Sequence, residues 1–179
     1  VPAGNLVGEE NKGWDCAKFL LSNERVGIAR IGTSKARLRR IKELASLQQP
    51  DGSRVIDSQR FRDRMIEIEI GLKALEITQL RVLSAEHARG RSGKPDPVSS
   101  VLKIRGSEIQ QALTELLLDV VGPYALPALR KGEGVNEPQP GPDWADVAAP
   151  HYFNMRKVSI YGGSNEIQKN IIAKAILGL

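Results

Sequence analysis

The chain has 179 residues, 41% of them hydrophobic, which is enough for one ordinary domain with a sizeable core. Its single cysteine, Cys16, excludes an internal disulfide framework and a cysteine metal cluster, and a reduced, cytoplasmic setting is expected. No run of about 18 apolar residues is present to span a membrane, and the net charge of +5 comes without a nucleic-acid motif or exposed aromatic platform.

The opening stretch, VPAGNLVGEENKGW, has neither an initiator Met nor a signal-peptide pattern, and reads as the middle of something longer. From about Asp15 to Gln48 a first helix is expected. Phe19, Val26, Leu38, Ile41 and Ala45 share one broad apolar stripe there, with the basic run KARLRRIK, Lys35 to Lys42, on its solvated side. QQPDGS, Gln48 to Ser53, ends it. A second helix is expected from about Ser58 to Arg89, where Phe61, Met65, Ile68, Leu72, Leu75, Gln79 and Val82 alternate steps of four and three, the rhythm of a bundle seam.

RGRSGKPDP, Arg89 to Pro97, breaks that helix. A third then runs from about Pro97 to Val121, with Leu102, Gly106, Ile109, Leu113, Leu116 and Val120 on its core face. A long Pro/Gly-rich connection, Gly122 to Trp144, follows. Shorter helices near Asp143 to Ser159 and Ser164 to Leu177 close the chain. The expected class is all-α: an up-and-down, four-helix-type bundle with additional short C-terminal helices. His87 and His151 are too far apart to form a local metal motif, and no metal site is expected.

The tail, SIYGGSNEIQKN, poses the sharpest question. Two adjacent glycines stand at a helix entrance, where their backbone freedom has an entropic cost and needs a reason. Taken with its continuation, IYGGSNEIQKNIIAKAILGL, this stretch resembles the C-terminus of the acyl-CoA dehydrogenase family. The opening VPAGNLVGEENKGW resembles that family's exit from a middle β-domain, and FLLSNERVGIARIG its first bundle helix. The resemblance implies that residues 1–14 are the end of the β-domain and a linker, and that 15–179 form the C-terminal helical domain. It also implies FAD as cofactor, an acyl-CoA thioester as substrate and a homologous subunit as partner, in a homo- or hetero-oligomer expected to be a tetramer. Neither nucleic acid nor membrane is expected as a partner.

The family dehydrogenates the α,β-bond of an acyl-CoA, and many members place the catalytic base in a tail motif Tyr-Glu-Gly-Thr/Ser. Laid over YGGSNEIQ, that motif puts Gly162 where the Glu should stand. A minority of members, the isovaleryl and long-chain types, carry the base on the first helix, and the matching residue here is Glu24. By itself Glu24 reads equally as an exposed helix charge beside Arg25. Glu166 reads as a cap-region residue near the positive end of the last helix.

By the same resemblance, the Gly162 N–H donates to the thioester carbonyl, and Gly163 and Ser164 approach the flavin. The residues alone read as an ordinary helix-entry turn. A Gly at 162 also suggests room for a branched, bulky or steroid acyl group. Two cofactor stretches depart from the family. At the Arg-x-x-Phe-Gly position only Gln59 matches, and at Gln-x-x-Gly-Gly-x-Gly only Gly122 matches, with Asp119 in place of the Gln. Lost contacts to a neighbour's FAD suggest a mixed assembly like that of bacterial steroid side-chain enzymes. The other reading is a non-catalytic assembly subunit.

Overall fold

The structure, a computed structural model, describes residues 1–24, 27–89, 97–127 and 140–179, with side chains at 1–20, 27–88, 97–127 and 140–179. There are six α-helices among the described residues: α1 Gly13–Glu24, α2 Ile31–Ala45, α3 Gln59–Arg89, α4 Ser99–Val121, α5 Ala148–Met155 and α6 Asn165–Ile172, the last running on into a π-turn, Ala173–Leu177. Among the described residues the one β-type pairing is an isolated bridge between Gln48 and Arg54, which closes the turn after α2. Most of the Arg89–Pro97 and Gly122–Trp144 connections lie outside the described residues. No described helix is long and apolar enough to cross a membrane.

α2, α3 and α4 run alternately up and down. Lys35 pairs with Glu76 and Lys42 Nζ lies 2.7 Å from Glu69 Oε2, so α2 and α3 are antiparallel. Arg64 pairs with Asp119 while Gly71 faces the Ile109 side chain, so α3 and α4 are antiparallel as well. Part of the basic run of α2 is therefore tied to carboxylates of α3. Such solvent-facing pairs set register more than stability.

α4 is the hub, with α2, α3, α5 and α6 all packed on it. Its apolar face, Leu102, Ile109, Leu113, Leu116 and Val120, is buried against Leu38, Ile41, Phe61, Leu72 and Leu75. The seam positions expected on α3 hold too: Phe61, Met65, Ile68, Leu72, Leu75 and Val82 are buried and Gln79 is half-buried.

The first expected helix is corrected. It is two helices, parted after Glu24 by a 3₁₀ turn, Gly27–Ala29, and by Arg30 in a left-handed conformation, φ 48° and ψ 41°. The cause is tertiary. Ala29 is fully buried against Gly106 of α4, so closely that a Cβ on Gly106 would stand 2.7 Å from the Ala29 Cα and 3.0 Å from its carbonyl oxygen. Bringing that turn onto α4 outweighs the roughly 1–2 kcal/mol of left-handed backbone strain. The shared stripe fails accordingly: Leu38, Ile41 and Ala45 are buried, Phe19 is exposed and Val26 lies outside the described residues. The fourth helix is also shorter than expected. α5 starts at Ala148, with Pro150 tolerated in its first turn, and gives way to a 3₁₀ turn at Arg156–Ser159.

Candidate functional site

The tail glycines lie in the loop between the Arg156–Ser159 turn and α6. Gly162 has φ +68° and Gly163 φ +85°, a region that favours glycine. A Cβ on Gly162 would collide with Ile28 Cδ1, and one on Gly163 would stand 2.5 Å from Gln168 Nε2. Both neighbours belong to this chain: the turn after α1 and the inner face of α6 close on the glycines from two sides. The space that a Cβ would take at Gly162 is occupied by the tip of Ile28, a side chain that can turn aside.

Ser164 is the N-cap of α6, and its hydroxyl accepts from the Ile167 N–H at 3.5 Å. Glu166 stands in the first turn of α6. Its carboxyl is held below the usual carboxylate range, first by its own backbone N–H and the Ser164 hydroxyl, then by Lys169 and Lys103. A carboxylate so stabilised in its charged form suits a cap better than a base, whose affinity for a proton must be raised.

Behind the loop stands a residue that the apolar pattern passed over. Lys103 of α4 is 2% exposed, and its ammonium donates to the Ser159 carbonyl at 3.0 Å and to Asn165 Oδ1 at 2.8 Å. Asn165 Nδ2 donates to Ser107 Oγ at 3.2 Å, and Gln111 Nε2 donates to the Arg156 carbonyl at 3.1 Å. Burial pulls the Lys103 pKa below its ordinary value, with Glu166 acting the other way. The signal was there to find. Ser100, Lys103, Ser107, Gln110 and Thr114 form a second, polar stripe along α4 at helical spacing, and all five are buried.

Glu24 is the last residue of α1, and its side chain is outside those described. Its position along the chain is informative even so. Four residues on in the sequence, Ile28 lies against the Gly162 loop.

The remaining candidates lie elsewhere. Gln59 opens α3, where its amide donates to Asp63 Oδ1 at 2.6 Å and accepts from Arg62 Nη2 at 2.9 Å. Gly122 caps α4 with φ 58° and ψ −134°, and a Cβ there would meet nothing within 4 Å. Gly106 and Gly122 are separated by about 24 Å of helix rise, so these two residues form a second group at the far end of α4. Asp119 pairs there with Arg64. Arg64 Nη2 also lies 3.6 Å from Glu115 Oε2, and the other Glu115 oxygen is 3.0 Å from Arg156 Nη1.

The two groups differ in how they would suit FAD. The Gly162–Ser164 loop offers glycine backbone at the entrance of a helix. Beneath it lies Gln168 Oε1, buried and without a hydrogen-bond partner among the described residues, an acceptor that a cofactor N–H suits. The far end offers a matched set of carboxylates and arginines, which gives a pyrophosphate no net positive charge. Of the histidines, His87 is exposed. His151 borders a groove of about 260 Å³ with Arg37, Ile41, Leu113 and Trp144, and its pKa is lowered by burial and then by Arg37.

A family profile described as "Acyl-CoA dehydrogenase, C-terminal domain" matches residues 11–177. The chain is 31% identical over 177 residues to the acyl-CoA dehydrogenase IpdE1 of Mycolicibacterium smegmatis, covering 99% of this chain and 39% of that protein. It is 27% identical over 180 residues to the acyl-CoA dehydrogenase FadE26 of Mycobacterium tuberculosis, covering 100% of this chain and 43% of that one. Among solved structures, the ChsE4-ChsE5 complex from Mycobacterium tuberculosis superposes with a TM-score of 0.72 at 28% identity, over 100% of this chain and 43% of the matched chain. The chain thus spans about two-fifths of the length of the relatives it matches.

Proposed function

The chain belongs to the acyl-CoA dehydrogenase family, as its C-terminal helical domain, and from that premise we propose that it serves an FAD-dependent α,β-dehydrogenation of an acyl-CoA thioester, with Glu24 as base and the Gly162 N–H as the carbonyl's donor. In this reading residues 1–14 lead in from the β-domain and 15–179 form the bundle. Glu24 removes the proton next to the thioester carbonyl. Negative charge then develops on the carbonyl oxygen, where the Gly162 N–H stabilises it; an oriented donor of this kind contributes a few kcal/mol. When bound, FAD would supply the two-electron acceptor for the hydride that leaves the β-carbon. Gly163 and Ser164 would hold it with backbone and a capped helix entrance.

The observation that carries this reading is the contact of Ile28 with the Gly162 loop. It brings the Gly27–Ala29 turn, three to five residues beyond Glu24 in the sequence, against the position where other members keep their base. Anaerobic flavin bleaching by acyl-CoA substrates tests it in the full-length, flavin-loaded protein. Glu24→Gln is expected to slow bleaching about 10²–10⁴-fold, the usual contribution of a positioned base. Bleaching at the wild-type rate in the folded, flavin-loaded variant overturns the assignment.

Gln59 and Gly122 are assigned to the cofactor of a neighbouring subunit. The oligomer itself is supported by an apolar stripe on α3, where Ile66, Ile70, Ile77 and Leu80 are exposed at helical spacing. The Asp119–Arg64 pair favours a second reading, in which the chain is an assembly subunit that lends its neighbour little or no cofactor contact. The ChsE4-ChsE5 relative is a complex of two chain types, and a heteromer of homologous subunits fits both readings. Flavin stoichiometry separates them. One FAD per chain of this type supports a working site, and an assembly whose flavin follows only the partner chain supports the second reading.

A further inference from the structure

We propose that Lys103 is a positioning residue for carbonyl polarisation, its one buried ammonium holding both ends of the Gly162 loop. This rests on the reading of Gly162 given above. The two acceptors of Lys103, the Ser159 carbonyl and Asn165 Oδ1, lie three residues before and three residues after Gly162. The glycine pair between them has two positive φ angles and the widest backbone freedom of any residue type. A donor carried on such a loop is useful only if the loop is held, because a misplacement of about 1 Å can lower a rate about 10²-fold.

The chemistry of Lys103 argues against a packing role. A methionine would fill much the same volume without the desolvation that a buried ammonium incurs. The hydrogen-bond acceptors of Lys103 are neutral oxygens, and the acid that raises its pKa, Glu166, is exposed in the first turn of α6. The charge is therefore spent on orienting the loop. Ser107 braces Asn165 and Gln111 braces the Arg156 carbonyl, so the anchors on the loop are themselves fixed to α4.

The test uses the full-length, flavin-loaded protein and 2-octenoyl-CoA labelled with ¹³C at the thioester carbonyl, read by isotope-edited infrared difference spectroscopy. In the wild type the carbonyl stretch is expected to fall on binding. In Lys103→Met the fall is expected to be roughly halved or lost, with kcat lowered by up to ~10²-fold and KM little changed. A purely structural lysine would lower thermal stability and leave the stretch of the folded, ligand-bound fraction as in wild type; that result overturns the proposal. Should Lys103→Met fail to fold, Asn165→Ala removes one anchor at a half-buried position. A reduced fall in its stretch supports the proposal, and an unchanged stretch overturns it. If the wild type itself shows no fall, the carbonyl role of Gly162 is wrong and the role of Lys103 falls with it, an outcome distinct from loss of the Lys103 role alone.

Discussion

The two ends of α4 carry opposite kinds of structure. Around Gly106 the helix is gripped from two sides: Ala29 presses on it from the turn after α1, and Lys103, Ser107 and Gln111 tie it to the tail loop. At Gly122 a Cβ would meet nothing within 4 Å among the described residues, and the last turns of the helix are joined to α3 by partly exposed ion pairs of Asp119 and Glu115 with Arg64. One end is specified by shape and buried hydrogen bonds, where an error of an ångström matters. The other is specified by charge, which water and salt weaken. The same difference separates the candidate residues, with Gly162, Gly163 and Ser164 at the shaped end and Gln59 and Gly122 at the charged one.

Substitutions can break that contrast, and the largest effect is expected in the core that both ends share. Leu102 is fully buried on the shaped half of α4, and Leu102→Ala should lower stability by about 2–5 kcal/mol in urea unfolding. Gly106→Ala comes next. Its Cβ meets the Ala29 backbone rather than a movable side-chain tip, so a loss of about 1–3 kcal/mol is expected, with reduced flavin bleaching as the Gly27–Ala29 turn is pushed off α4. A neutral result there would mean that the turn is not fixed by this contact.

At the charged end Asp119→Ala should cost under about 1 kcal/mol, with an effect that shrinks further at high salt, because the pair is partly exposed and Arg64 keeps Glu115 nearby. Flavin content should not change. A drop in bound flavin would give Asp119 a place in cofactor binding after all.

The smallest effect sharpens the contrast through pH. The pKa of His151 in the folded chain lies below the ordinary 6.5, because burial and Arg37 disfavour its charged form. The unfolded chain then binds a proton more readily, so stability is present above pH 6.5 and is lost as pH falls through the lower, folded value. His151→Gln should remove part of the acid-side fall in urea midpoint while leaving the midpoint near neutral pH almost unchanged. An identical acid fall in the variant would assign that loss to other groups.

The sequence made α3 and α4 legible because each repeats its core positions in steps of three and four over about five helical turns or more. The break between α1 and α2 was hidden for a physical reason. No proline marks it, and the force that bends the chain there is the approach of Ala29 to Gly106, nearly eighty positions away. Lys103 was hidden by the same arrangement. A helix packed on more than one face buries its polar stripe as well as its apolar one, so a lysine that looks solvated in a two-faced pattern is interior in a hub. Gly162 stood out because glycine pairs at helix entrances are rare enough to need a cause. That the cause includes Ile28 depends on a contact between distant segments, which no local pattern records.

A side chain placed at position 162 would meet the tip of Ile28 and a left-handed backbone together. The two obstacles are unequal. The Ile28 tip can turn aside, whereas the positive φ stays whatever the neighbour does. The glycine is therefore kept in place less by the space around it than by the path of its own backbone, and a smaller residue at position 28 would not by itself make the position tolerant.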